Sequence, residues 1–212
     1  MSTTILLVED DPVWRTQLTR FLNMEPGMRV VQAVQSKDEA IAYCTDHPVD
    51  VVLMDIHLAP NQLDGIEATL ELSLMRADTK VIALTSIDEE RVILDTFTAG
   101  AVHYVRKSDF RKIPAVVREV MQANSPQSIL VKEFIRLKET EQINRLTAAE
   151  KEIISLNEEG YGRITMAEKL GKSESTLKNQ ITAIIRKFQA KSIKEVVRII
   201  KSRGLKNREF HE

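Results

Sequence analysis

Short apolar runs punctuate the first part of the chain: Thr4–Val8, Arg29–Val34, Val49–Ile56, Lys80–Thr85 and Val102–Val105. Most are nearly continuous and rich in Val and Ile, the pattern of strands buried on both faces of a parallel sheet. Helix-length stretches with recognisable ends lie between them. Pro12 suits a first helical turn. Ser36-Lys37-Asp38-Glu39 reads as a capping box, and Gly100 after Ala99 as a C-terminal stop. Repeated strand–helix units within residues 1–123 predict an α/β doubly wound parallel five-stranded sheet, flavodoxin-like by count.

The pattern then changes. Asn124-Ser125-Pro126 is a break, and Ile129, Leu130, Phe134, Leu137 and Ile143 recur at mixed three- and four-residue spacings. Residues 124–146 therefore read as a largely helical linker, able to pack on its own domains or to pair with a second copy. Residues 147–212 carry no strand signal. Thr147-Ala148-Ala149-Glu150 is another capping box, and helices are predicted over 147–158, 163–170, 174–188 and 192–202, with Gly160 and Gly171 in the breaks. The expected organisation is an α/β domain over 1–123, a linker, and a small all-α domain over 147–212.

Composition narrows the class. A chain of 212 residues with 43% hydrophobic and 29% charged positions is not wholesale disordered. The single cysteine, Cys44, excludes an internal disulfide framework and a Cys-based zinc site. No stretch approaches the roughly 18 uncharged apolar residues of a transmembrane helix. The run Ile5–Val8 is stopped by Glu9, Asp10 and Asp11, unlike a signal peptide. The expectation is a cytoplasmic protein with no membrane partner. The net charge of −1 hides an asymmetry: residues 1–123 hold 12 Lys+Arg against 19 Asp+Glu, and residues 147–212 hold 14 against 9. An acidic first domain suits cations and a basic last domain suits polyanions.

In an open α/β sheet, ligands sit outside the carboxyl ends of the strands. Those ends here bear Glu9-Asp10-Asp11, Asp55, Thr85-Ser86 and Lys107. Carboxylates so placed can hold Mg²⁺, and one of them can attack phosphorus to form an acyl phosphate. A lysine and the metal would neutralise the transferring group, and a threonine hydroxyl could bond its oxygens.

Leu6-Leu7-Val8-Glu9-Asp10-Asp11, Val52-Leu53-Met54-Asp55, Asp64-Gly65-Ile66-Glu67, Ala83-Leu84-Thr85-Ser86 and Tyr104-Val105-Arg106-Lys107 resemble the motifs of two-component receiver domains. That resemblance implies that Asp55 is the phospho-acceptor. It implies that Glu9, Asp10, Asp55 and the His57 backbone carbonyl surround Mg²⁺, that Thr85 and Lys107 contact the phosphoryl group, and that Tyr104 is an aromatic switch. One feature departs from the family pattern. Asp64 follows Asp55 by nine residues where the family usually has seven, so the loop 57–63 is longer by two.

In the last domain, 163–188 has the spacing of a helix-turn-helix, whose second helix enters the major groove. Over 174–188 the apolar face holds Leu177, Ile181, Ile184, Ile185 and Phe188. The polar face holds Ser175, Lys178, Asn179, Thr182 and Arg186, side chains that bond phosphates and base edges. Leu146–Ile154, Ala167–Leu170, Ser173–Ile181 and Ile185–Phe188 resemble the LuxR/NarL-type DNA-binding domain, with Gln180 where a histidine is usual and Thr165-Met166 where Glu-Ile is usual. The resemblance implies that Lys178, Asn179 and Thr182 face DNA and that the helix 192–201 helps dimerise. On that helix Ile193, Val196, Val197 and Ile200 form the predicted packing stripe. Ile199 falls off it, leaving apolar area for a symmetric partner. Trp14 and Cys44 read as ordinary helix residues with no catalytic role.

These signs point to a response regulator, not a conventional enzyme. Its expected partners are a sensor histidine kinase, double-stranded DNA and, when active, a second copy. Two rivals are a phosphotransfer module whose helical domain docks protein, and a DNA-binding regulator that is independent of phosphorylation.

Overall fold

The computed structural model describes residues 2–58, 64–76, 78–86, 89–122, 125–203 and 205. The chain divides into two compact units, Met1–Ile135 and Arg136–Glu212.

The first unit alternates strands β1 (Thr3–Val8), β2 (Met28–Val34), β3 (Val51–Asp55), β4 (Lys80–Thr85) and β5 (His103–Arg106) with helices α1 (Pro12–Asn23), α2 (Lys37–Asp46), α3 (Asp64–Met75), α4 (Glu90–Ala99) and α5 (Ile113–Val120). The strands pair in parallel in the order β2-β1-β3-β4-β5, as the buried apolar runs predict. Alternation along each strand divides the core in two. Ile5, Leu7, Leu53, Ile82, Leu84 and Val105 pack with α1 and α5 residues such as Leu22 and Val117. Leu6, Val8, Val52 and Met54 pack with Ala40, Cys44, Ala68 and Leu72 from α2 and α3. Cys44 is buried.

The helix ends follow the sequence, with one shift. Asp11 caps α1, its Oδ1 accepting from the backbone N–H of Val13 at 2.7 Å and of Trp14 at 3.0 Å, with Pro12 in the first turn. Gly100 ends α4 at a φ of 113°. Ser36 caps α2, but the Glu39 carboxylate reaches past it to the Gln35 N–H, 3.2 Å away, so the reciprocal bond lands one residue early.

Helix α6 (Pro126–Ile143) occupies most of residues 124–146. Val131, in its first half, is buried. In its second half Glu139 pairs with Arg203 at 2.9 Å. None of the helices among the described residues is long and apolar enough to cross a membrane.

The second unit adds α7 (Ala148–Glu158), α8 (Arg163–Lys169), α9 (Glu174–Lys187) and α10 (Ile193–Lys201). Thr147 forms the predicted capping box with Glu150. The core joins Ile153, Met166, Leu177, Ile184, Phe188, Val196 and Ile199. The last of these corrects an expectation. Ile199 is 3% exposed and fully part of the core, whereas Ile193, Val197 and Ile200 are only partly buried. The buried face of α10 is centred between Val196 and Ile199, rotated by a little under one residue's step of roughly 100° from the predicted stripe. Ile199 therefore offers no apolar area to a partner.

Candidate functional site

The three consecutive acids after β1 take different jobs. Asp11 is spent on the helix cap, and the two backbone N–H groups it accepts, Trp14 first, hold its carboxyl below the usual range. Asp10 is exposed and Glu9 is fully buried. Arg15, one turn into α1, steadies this corner by donating to the carbonyls of Glu9 at 2.6 Å and Asp10 at 3.0 Å.

Asp55 closes β3 beside Leu84 of β4 and is 2% exposed. Its Oδ1 accepts from the His57 N–H at 3.0 Å. Lys107 begins a 3-10 turn (Lys107–Lys112) directly after β5 and reaches across the sheet end. Its ammonium lies 2.8 Å from Asp55 Oδ2 and 2.7 Å from Glu9 Oε2. It also donates to Glu9 Oε1 at 2.9 Å. Thr85 is buried at the end of β4. Strand ends that are far apart in sequence thus meet at one pocket.

Electrostatics there are tight. Burial, with the neighbouring Asp55 charge adding to it, outweighs the Lys107 hydrogen bond and pushes the Glu9 carboxyl up to about 7. Burial alone would lower the Lys107 pKa, but its bonds to Asp55 and Glu9 outweigh that and hold it above its ordinary value. Glu9 Oε2 is sealed from solvent and, although close to the ammonium, has no partner in hydrogen-bond geometry. Oxygens of Glu9, Asp10 and Asp55 lie within 4.8 Å of one another. An all-oxygen set of this kind suits a hard divalent cation.

Gly65 explains why an Asp-Gly pair opens α3. A Cβ there would stand 2.0 Å from the Asp55 carbonyl oxygen and 2.6 Å from Ile56 Cα. The Gly65 N–H donates to the Ile56 carbonyl at 3.2 Å. Helix α3 therefore starts against the backbone that carries Asp55. The loop 57–63, read as longer by two, falls largely on residues 59–63, which lie outside the described residues. Tyr104 is partly buried on β5, beside a cleft of about 550 Å³ walled by Ile93, His103, Arg106 and Val116. The sequence places Trp14 one helical turn beyond the acidic cluster, but it missed the Arg15 contacts and the approach of the Trp14 ring to the Lys107 ammonium, 5.9 Å away.

In the second unit α8, a turn at Gly171 with φ of 60°, and α9 make the expected helix-turn-helix. Ser173 caps α9 through the Thr176 N–H. Leu177, Ile181, Ile184 and Phe188 are buried, while Ser175, Lys178, Asn179, Thr182 and Arg186 are all exposed. Gln180 accepts a bond from Lys172 at 2.9 Å, tying the turn to α9.

A 2-1-3-4-5 parallel sheet with this acidic pocket, followed by a helix-turn-helix unit, defines a receiver domain joined to a DNA-binding domain. Comparison with known proteins agrees. Residues 5–118 match the response regulator receiver domain, and residues 144–200 match the bacterial regulatory proteins of the luxR family. The oxygen regulatory protein NreC of Staphylococcus epidermidis is 31% identical over 206 residues, covering 91% of this chain and 94% of that one. The crystal structure of a LuxR-family two-component response regulator from Aurantimonas sp. SI85-9A1 is 28% identical with a TM-score of 0.51, covering 66% of this chain and 99% of that one. The RcsB response regulator of Salmonella typhimurium shares the fold at 17% identity and a TM-score of 0.53, covering 94% of this chain and 99% of that one. The chain belongs to the two-component response regulators that carry a LuxR-type DNA-binding domain, and it is a transcriptional regulator. That class implies a sensor-kinase partner and DNA binding.

Proposed function

We propose that Asp55 accepts a phosphoryl group from a sensor histidine kinase and that the product state dimerises and binds DNA. The observation that carries this reading is the Lys107 ammonium held between the buried Asp55 and Glu9 carboxylates at 2.8 and 2.7 Å. A carboxylate oxygen of Asp55 attacks phosphorus. The donor's P–N bond breaks, and the leaving imidazole nitrogen keeps the electron pair and takes up a proton. Lys107 then follows the charge onto the phosphoryl oxygens, and the Thr85 hydroxyl bonds one of them. Glu9, Asp10, Asp55 and the His57 carbonyl would hold Mg²⁺, which supplies charge neutralisation at the transferring group when bound. Removing the Lys107–Asp55 pair and drawing Thr85 inward biases a two-state equilibrium, and the cleft beside Tyr104 gives that ring room to turn.

In this reading residues 1–123 receive, 124–146 link, and 147–212 read DNA. Ser175, Lys178, Asn179, Thr182 and Arg186 form the contacting face of α9. The intact mass of the full chain, measured after incubation with Mg²⁺ and acetyl phosphate, tests the acceptor. One added phosphoryl group is expected, absent without Mg²⁺ and in Asp55→Ala. Full labelling of Asp55→Ala overturns the assignment.

A further inference from the structure

We infer that Trp14 is a positioning residue for Lys107, its indole face holding the ammonium over the Asp55 carboxylate. This rests on the reading that Lys107 serves the phosphoryl group at Asp55. The Lys107 Nζ lies 5.9 Å from the centroid of the Trp14 ring, within the range at which the negative face of an aromatic attracts a cation. The same indole meets the edge of Phe110 at 5.8 Å and 85°, and Phe110 meets Phe21 at 5.4 Å and 77°. Phe110 belongs to the 3-10 turn that Lys107 opens, and Phe21 to the same helix as Trp14. The aromatic contacts thus fasten the backbone that carries Lys107 to α1, while the indole face meets its charged end.

This arrangement has a use that the two carboxylates lack. Asp55 changes its charge and shape when it bonds to phosphorus, so its pull on Lys107 changes in the same step. Trp14 is the same before and after. It keeps the ammonium of Lys107, whose side chain is only 15% exposed, at the pocket while its ionic partner is exchanged.

The test is a cycle of full-length proteins: wild type, Trp14→Leu, Lys107→Ala and the double variant, with Trp14→Phe as the conservative change. Each is incubated with Mg²⁺ and acetyl phosphate, and the rate of phosphorylation is read by intact mass. Trp14→Leu should slow the reaction about two- to fivefold, the size of a partly exposed cation–π contact. Trp14→Phe, which keeps a ring face, should recover most of the rate. In the Lys107→Ala background Trp14→Leu should slow nothing further. Equal slowing in both backgrounds, or a wild-type rate in Trp14→Leu, overturns the positioning role. A wild-type rate in Lys107→Ala alone instead refutes the role given to Lys107.

Discussion

Replacing Gly65 by alanine should damage the receiver through Asp55 itself. The added Cβ would stand 2.0 Å from the Asp55 oxygen, 2.6 Å from Ile56 Cα and 2.8 Å from the Asp55 carbonyl carbon. All three are backbone atoms, so no rotamer change relieves the clash. Contact at about 3.5 Å requires α3 and the end of β3 to separate by roughly 1–1.5 Å. Overpacking of this kind costs about 3 kcal/mol, the upper end of its usual range. For a unit of this size that lowers Tm by about 10 °C. A displacement near 1 Å at a reacting group also costs on the order of 10²-fold in rate. Gly27→Ala is the control. Gly27 has a φ of 80° with nothing within 4 Å of its would-be Cβ. It should lose about 1–2 kcal/mol to backbone strain and phosphorylate at the wild-type rate. Thermal melts by circular dichroism and acetyl phosphate time courses read both effects. A Gly65→Ala protein with wild-type Tm and rate would refute the reasoning, as would a Gly27→Ala protein that phosphorylates as slowly as Gly65→Ala.

The other outcomes concern charge. Because the folded protein raises the Glu9 carboxyl from 4.5 to about 7, its contribution to metal-free stability is full below the lower value and lost as pH rises through the higher. Glu9→Gln should therefore gain stability over wild type between about pH 5 and pH 8; an unchanged difference between the two melts across that window contradicts this. Trp14 fluorescence should change on Mg²⁺ addition and stop responding in Asp10→Ala; identical titrations would remove Asp10 from the metal site. If Lys178 contacts a phosphate, Lys178→Ala should weaken every duplex alike and lower the salt slope by about 1. If it reads a base edge, the loss should be about 1–3 kcal/mol and confined to the specific site. No loss on any duplex removes it from the interface.

Much of this architecture was legible because its signals are local. Continuous Val/Ile runs mark buried parallel strands, and the topology of such sheets then brings Glu9, Asp55, Thr85 and Lys107 to one edge. Capping residues such as Thr147 and Gly100 act within a few positions of themselves. What stayed hidden depends on three-dimensional neighbours. Nothing near Trp14 in the chain announces Lys107, and only the assembled sheet sets α1 against the turn after β5. The family resemblance left Asp11 out of the metal set, but no sequence signal assigned it another task; its carboxylate accepts from the first N–H groups of α1. Helix α10 misled for a different reason. Apolar residues at 193, 196, 197, 199 and 200 spread over so much of its circumference that periodicity could not choose the buried face, and contact with α7 and α9 decided it.

A duplex titration of the full chain at several salt concentrations, with and without acetyl phosphate, tests the central claim most directly, using a duplex selected from a random pool. The account predicts salt-dependent binding that tightens on phosphorylation in the wild type, because a dimer engages two half-sites about one helical turn apart, and that does not tighten in Asp55→Ala. Equal affinity with and without phosphorylation, or the same tightening in Asp55→Ala, would contradict it.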